Sequence, residues 1–125
     1  MINLIFIYIA GVSIIIWGIA HIIPVRNVVK GFGEITTDNK RIITMEWINE
    51  GLTLIFLGIL IIVITITGEP GLLIKKIVYL LSVVMLLTMS VISLFTGFKV
   101  NFLPYKLCPF IFSASAILIV LGLVL

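Results

Sequence analysis

The sequence predicts an all-α fold: four transmembrane helices in an up-down antiparallel bundle, forming one domain over residues 1–125. Two observations predict it. Hydrophobic residues make up 62% of the chain and charged residues 10%, against roughly 45–50% and about 25% in an average soluble domain. Four apolar runs also reach the ~20 residues that a helix needs to cross a bilayer. They cover about 2–23, 45–67, 77–96 and 107–125. Each is apolar on nearly every side, as suits a helix facing lipid and neighbouring helices. The runs are about twice the length of a membrane strand and lack its alternation, so a barrel is excluded.

The first run follows Met1-Ile2-Asn3, which contains no Lys or Arg. It is longer than the ~7–15 residues of a signal-peptide core and is expected to be a retained helix. The second and third runs join through Gly68-Glu69-Pro70-Gly71, a tight turn by composition. Those helices are therefore expected to be antiparallel neighbours. The third and fourth join through residues 97–106.

The first connection, 24–44, is the only sizeable piece expected outside the bilayer. Within it Val25, Val28, Val29 and Phe32 recur at helical spacing, with Arg26 and Lys30 off that stripe. This pattern fits a short helix lying in the headgroup plane, ended by Gly31 and Gly33. Asp38 is the expected N-cap of a second helix that starts before the membrane and runs into the second span.

Lys and Arg counts orient the bundle. Arg26, Lys30, Lys40 and Arg41 in the first connection share a side with Lys99 and Lys106 in the third; only Lys75 and Lys76 lie opposite. Loops 24–44 and 97–106 are expected in the cytoplasm, with both termini outside. The same scattering argues against nucleic acid as a partner, despite the net charge of +3. The bilayer is the expected partner, and a homodimer or a larger membrane complex stays open. A single cysteine, Cys108, and a single histidine, His21, exclude a disulfide, a CxxC pair and a metal site of the usual ligand sets. No phosphate-binding loop, HExxH or GxSxG occurs. The sequence leaves the cofactor unknown.

The polar residues gather at one end of the spans. His21 closes the first, and Glu46, Asn49 and Glu50 open the second. Ser93 and Thr96 close the third, and Asn101, Tyr105 and Cys108 lead into the fourth. Glu50 falls about one turn inside the hydrocarbon, where a carboxylate costs roughly 2.5–3.5 kcal/mol on insertion scales and needs a partner or a function. Glu46 lies one turn back; the two carboxylates are expected to resist ionising together and to share a proton. Glu50, Glu46 and His21 thus form a candidate acid–base cluster, and proton transfer is the chemistry this inventory supports. The structural alternative is that Glu46 is interfacial and Glu50 fixes helix packing.

Asn49, Trp17, Trp47, Met89, Ser93 and Asn101 are candidate ligand contacts. The two tryptophans read equally as headgroup-level anchors. Met89 and Ser93 belong to a stripe with Ser82, Met85 and Thr96 that suits either helix packing or an adaptable pocket wall. Gly11, Gly18, Gly51 and Gly58 read as close-packing positions.

Three short stretches carry a resemblance: Gly18-Ile-Ala-His21 with Pro24, Met45-Glu-Trp-Ile-Asn-Glu-Gly51, and Leu107-Cys-Pro-Phe110. Together they resemble the DoxX-like families of small four-helix membrane proteins. The resemblance implies that topology and points toward respiratory or redox membrane complexes. By residue type, His21, Glu46, Trp47, Asn49 and Glu50 are more distantly similar to the EXPERA group, which includes sterol isomerases. Small multidrug transporters share the length and helix count but use a glutamate in their first span, where this chain has none.

The functional expectation is a cavity at the cytoplasmic end that holds a small lipophilic molecule such as a quinone, an isoprenoid or a lipid. A non-catalytic accessory subunit of a larger complex and a small oligomeric transporter are the alternatives.

Overall fold

The computed structural model describes residues 3–67 and 72–125. Among them it contains helices and no strand: α1 (Leu4–Ile22), α2 (Val25–Gly31), α3 (Thr37–Ile66), α4 (Leu72–Phe95) and α5 (Leu103–Val124), with a single 3₁₀ turn at Gly97–Lys99. α1, α3, α4 and α5 are each long and apolar enough to cross a membrane, which makes the chain a multi-pass membrane protein with an all-α four-helix bundle. The proposed turn at 68–71 lies outside the described residues.

Local sequence explains the ends. Asn3 caps α1: its Oδ1 accepts from the Ile5 amide at 3.2 Å. α2 forms where the Val25/Val28/Val29/Phe32 stripe predicts it, buries Val28, and stops at Gly31. Gly33 follows at φ +74°, a conformation that glycine adopts without strain. The N-cap of α3 lies two residues ahead of the expected one. Thr36, not Asp38, is the N-cap, with its hydroxyl accepting from the Asn39 amide at 3.2 Å; Asp38 instead places its charge in the first turn, where the helix dipole favours it. α3 has 30 residues, or about 45 Å at ~1.5 Å per residue. That exceeds the ~30 Å hydrocarbon thickness, so its first turns stand outside. α5 starts at Leu103, a turn before the apolar run, because Pro104 suits a first turn. Pro109 therefore lies inside the helix.

The packing order differs from the chain order. α1 packs most extensively on α3, α4 on α5, and α1 on α5, while α3 and α4 touch little. α3 and α4 do touch, as expected of antiparallel neighbours, but far less than the other three pairs. Their side-chain hydrogen bond, between Thr65 Oγ1 and Tyr79 Oη at 2.9 Å, lies at the end far from His21. The physical reason is glycine. Gly11 faces Gly58 and Gly18 faces Gly51: a Cβ on Gly58 would stand 2.6 Å from the Gly11 carbonyl, and one on Gly18 2.7 Å from the Gly51 carbonyl. Two glycines seven apart on each helix let antiparallel backbones touch, which earns dispersion contact that lipid tails cannot match. α1 is thereby drawn against α3 and occupies the centre. Its other side meets α5, where the Asn3 amide donates to the Gly122 carbonyl at 2.8 Å. α4 and α5 are joined by Ser90, whose hydroxyl lies 2.9 Å from the Pro109 carbonyl and 2.7 Å from Ser113 Oγ. Ile7, Ile14, Leu54, Ile61, Leu86, Phe112 and Ile119 are the heart of the core.

The packing face of α4 is Tyr79, Ser82, Val83, Leu86 and Ser90. The predicted stripe is turned from it. Ser82 belongs to the face, Met85 is exposed, and Met89 packs at the core's edge.

Candidate functional site

The Gly18–Gly51 contact sets the site. One turn beyond it on α1 is His21, and flanking it on α3 are Trp47 and Glu50. His21 is buried, with only 7% of the residue exposed. It stacks on the Trp47 indole with ring centroids 4.1 Å apart and planes 12° from parallel. Trp47 Nε1 in turn donates to the His21 carbonyl. The last carbonyls of a helix have no partner within it, so an indole from α3 satisfies the end of α1. Tyr105 of α5 presents its edge to Trp47 at 5.2 Å, and Phe102 meets Tyr105 at 5.6 Å.

Glu50 approaches from the side. Its Oε2 is 3.2 Å from His21 Nε2, and its side chain is 40% exposed. The nitrogen is nevertheless buried without a hydrogen bond; the two atoms are close, but the carboxylate lies off the N–H direction. Trp17 Nε1, a turn before His21 on α1, is also buried without a hydrogen-bond partner.

Three cavities meet here. One of about 400 Å³ lies between α3 and α4 and is lined by Glu50, His21, Ile92, Ser93, Thr96 and Tyr105, among others. Its size falls within the roughly 300–1,000 Å³ of small-molecule sites. A smaller one, about 160 Å³, lies beyond His21 against Trp17, Trp47, Pro104, Tyr105 and Cys108. A third, about 480 Å³, separates α2 from the 97–103 connection and includes Asn27, Phe32, Asn101 and Tyr105. Tyr105 lines all three.

The candidate residues separate accordingly. His21, Glu50, Trp47, Trp17 and Ser93 come together around the first two cavities. Asn101 lines the third. Glu46 and Asn49 are exposed, and neither lines these cavities. At about 100° per residue, Asn49 points roughly 200° around α3 from Trp47, nearly the opposite way. Glu50 is paired with His21, while Glu46, one turn back, is exposed. Met89 packs beside the core and is not among the cavity residues. Tyr105 is the addition that sequence reasoning left off its site residues. Its signal was present: a polar aromatic in the first turns of the fourth span, at the end where the other polar groups collect.

A carboxylate and an imidazole 3.2 Å apart can exchange a proton or jointly bind a polar head. The apolar wall supplied by Ile92, Val100 and the aromatic rings accommodates hydrocarbon. No protein-family model, no curated protein and no solved structure matches the chain.

Proposed function

We propose that the chain is a DoxX-like integral membrane protein that binds a small lipophilic molecule in the cavity between α3 and α4, with Glu50 as its principal polar contact. The single observation that carries the reading is the His21–Glu50 pair. An ionisable pair at the edge of the hydrocarbon, one member buried, is retained where it does something, and this one lines a cavity of ligand size. A quinone, an isoprenoid or a lipid fits the combination of an apolar wall and one polar corner. If the protein acts on the molecule, the step is a proton transfer through Glu50 with His21 as its partner.

The positive-inside bias supports a cytoplasmic location for loops 24–44 and 97–106, with both termini on the other side. The ligand then sits in the inner leaflet.

Native mass spectrometry of the wild-type protein released from mild detergent, beside Glu50→Gln, tests the reading. A discrete small-molecule adduct on wild type that the mutant loses is expected, since a charge-assisted hydrogen bond is about twice as strong as a neutral one. A wild type that flies bare, or an adduct indifferent to the substitution, refutes it.

A further inference from the structure

The polar atoms that the cavity leaves unused define the head of its occupant. The Thr96 hydroxyl is committed to the Ile92 carbonyl at 2.6 Å, and the Cys108 thiol to the Pro104 carbonyl at 3.4 Å. His21 Nε2 is buried beside Glu50. Glu50 remains as the reachable acceptor. Ser93 and Tyr105 remain as donors, because neither hydroxyl makes a hydrogen bond among the described residues, and both line the same cavity as Glu50.

Four kinds of lipophilic head can be set against that inventory. An ester or ketone accepts from Ser93 or Tyr105 but brings no donor to Glu50. A carboxylate or phosphate meets the charge of Glu50 directly. An ammonium can donate to Glu50 and to the hydroxyl oxygens, but it has no lone pair to take the two hydroxyl hydrogens. A hydroxyl alone donates to Glu50 and accepts from Ser93 or Tyr105 through the same oxygen. Access is also defined. α3 and α4 share a side-chain hydrogen bond at the Thr65–Tyr79 end and stand apart across the cavity at the other, where Glu50 keeps its exposure.

Building on the proposed lipid-binding reading, we infer that the ligand is a neutral lipophilic alcohol or phenol, taken from the adjacent leaflet through the gap between α3 and α4. The hydroxyl sits at the Glu50–Ser93 corner and the hydrocarbon body lies along the α3–α4 opening.

The test uses the full chain in phosphatidylcholine nanodiscs, with adduct occupancy read by native mass spectrometry after titration with hexadecanol, methyl palmitate, palmitate or hexadecylamine. Hexadecanol is expected to bind saturably and roughly tenfold or more tighter than the other three, the cost of leaving a charged acceptor or a donor unmatched. Ser93→Ala is expected to weaken hexadecanol several-fold. If methyl palmitate, palmitate or hexadecylamine matches hexadecanol, and its binding still falls in Glu50→Gln, the site stands and the hydroxyl inference is overturned. If none of the four binds saturably to wild type, the cavity reading falls and the inference with it. The comparison of probes on wild type needs no substituted protein, so a variant that fails to fold does not obscure the result.

Discussion

Trp47 holds the site at two levels, through its ring face on the His21 imidazole and through its N–H on the His21 carbonyl. The first is a side-chain contact and the second a backbone one, so they separate by mutation. Trp47→Phe keeps a ring for stacking and removes the donor. Leaving a buried carbonyl unsatisfied costs about 1–3 kcal/mol, and thermal unfolding in detergent should show a loss of that size. His21→Phe leaves both a ring against Trp47 and the carbonyl bond, so stability should fall by less than in Trp47→Phe in the same assay. Ligand binding should then weaken, because Glu50 loses its partner and is left to find one in lipid. At this scale the sequence was partly legible. Residue type and depth singled out Glu50, His21 and Trp47, because an ionisable or polar group among aliphatic residues is conspicuous. Direction was harder. Glu46, Asn49 and Glu50 look alike on a nearly uniform apolar helix, and only the position of α1 decides that Glu50 turns in while Asn49 turns out.

The helices are held by contacts of very different kinds. α1 and α3 meet backbone to backbone at Gly11–Gly58 and Gly18–Gly51; α4 and α5 meet through Ser90, Ser113 and the Pro109 carbonyl. Gly58→Ala should separate α1 from α3, because its Cβ would meet the Gly11 carbonyl, which cannot swing aside. A loss of about 1–3 kcal/mol is typical of such overpacking, and a lowered midpoint of thermal unfolding would register it. Gly31→Ala, with nothing within 4 Å of the added carbon, should leave the midpoint unchanged. Equal effects in the two variants would overturn the glycine account. Gly18→Ala applies the same pressure one turn from His21 and should therefore also weaken ligand binding, whereas Gly58→Ala, two turns further from the site, should affect stability more than binding. Lengths and ends of the elements followed readily from apolar runs and caps. α2 was legible from four residues at helical spacing, while α3's cap was missed because Thr36 and Asp38 are both good cap residues.

For the whole molecule, the number of spans is the most secure part of the sequence reading and the arrangement of the spans the least. A short connection suggested that α3 and α4 pack together, yet chain proximity fixes only one end of two helices. Matching glycine spacings on α1 and α3 were the better guide to neighbours, since they report where backbones can touch. The orientation can be checked directly in a Cys108→Ser background. A cysteine introduced at Lys40 should react with a membrane-impermeant maleimide only after cells are opened, and one at Lys75 should react in intact cells. The opposite pattern would invert the bundle and place the ligand in the outer leaflet.

Because α1 is sandwiched between α3 and α5 while α3 and α4 barely meet, the molecule is two hairpins sharing one seam. The covalent link at 68–71 joins the outermost members of the row, and the seam between α1 and α5 is non-covalent. A chain severed within 68–71 would keep the α1–α3 and α4–α5 pairings each within one half. Its halves, produced together, should find one another along α1 and α5 and rebuild a bundle that still copurifies as one particle.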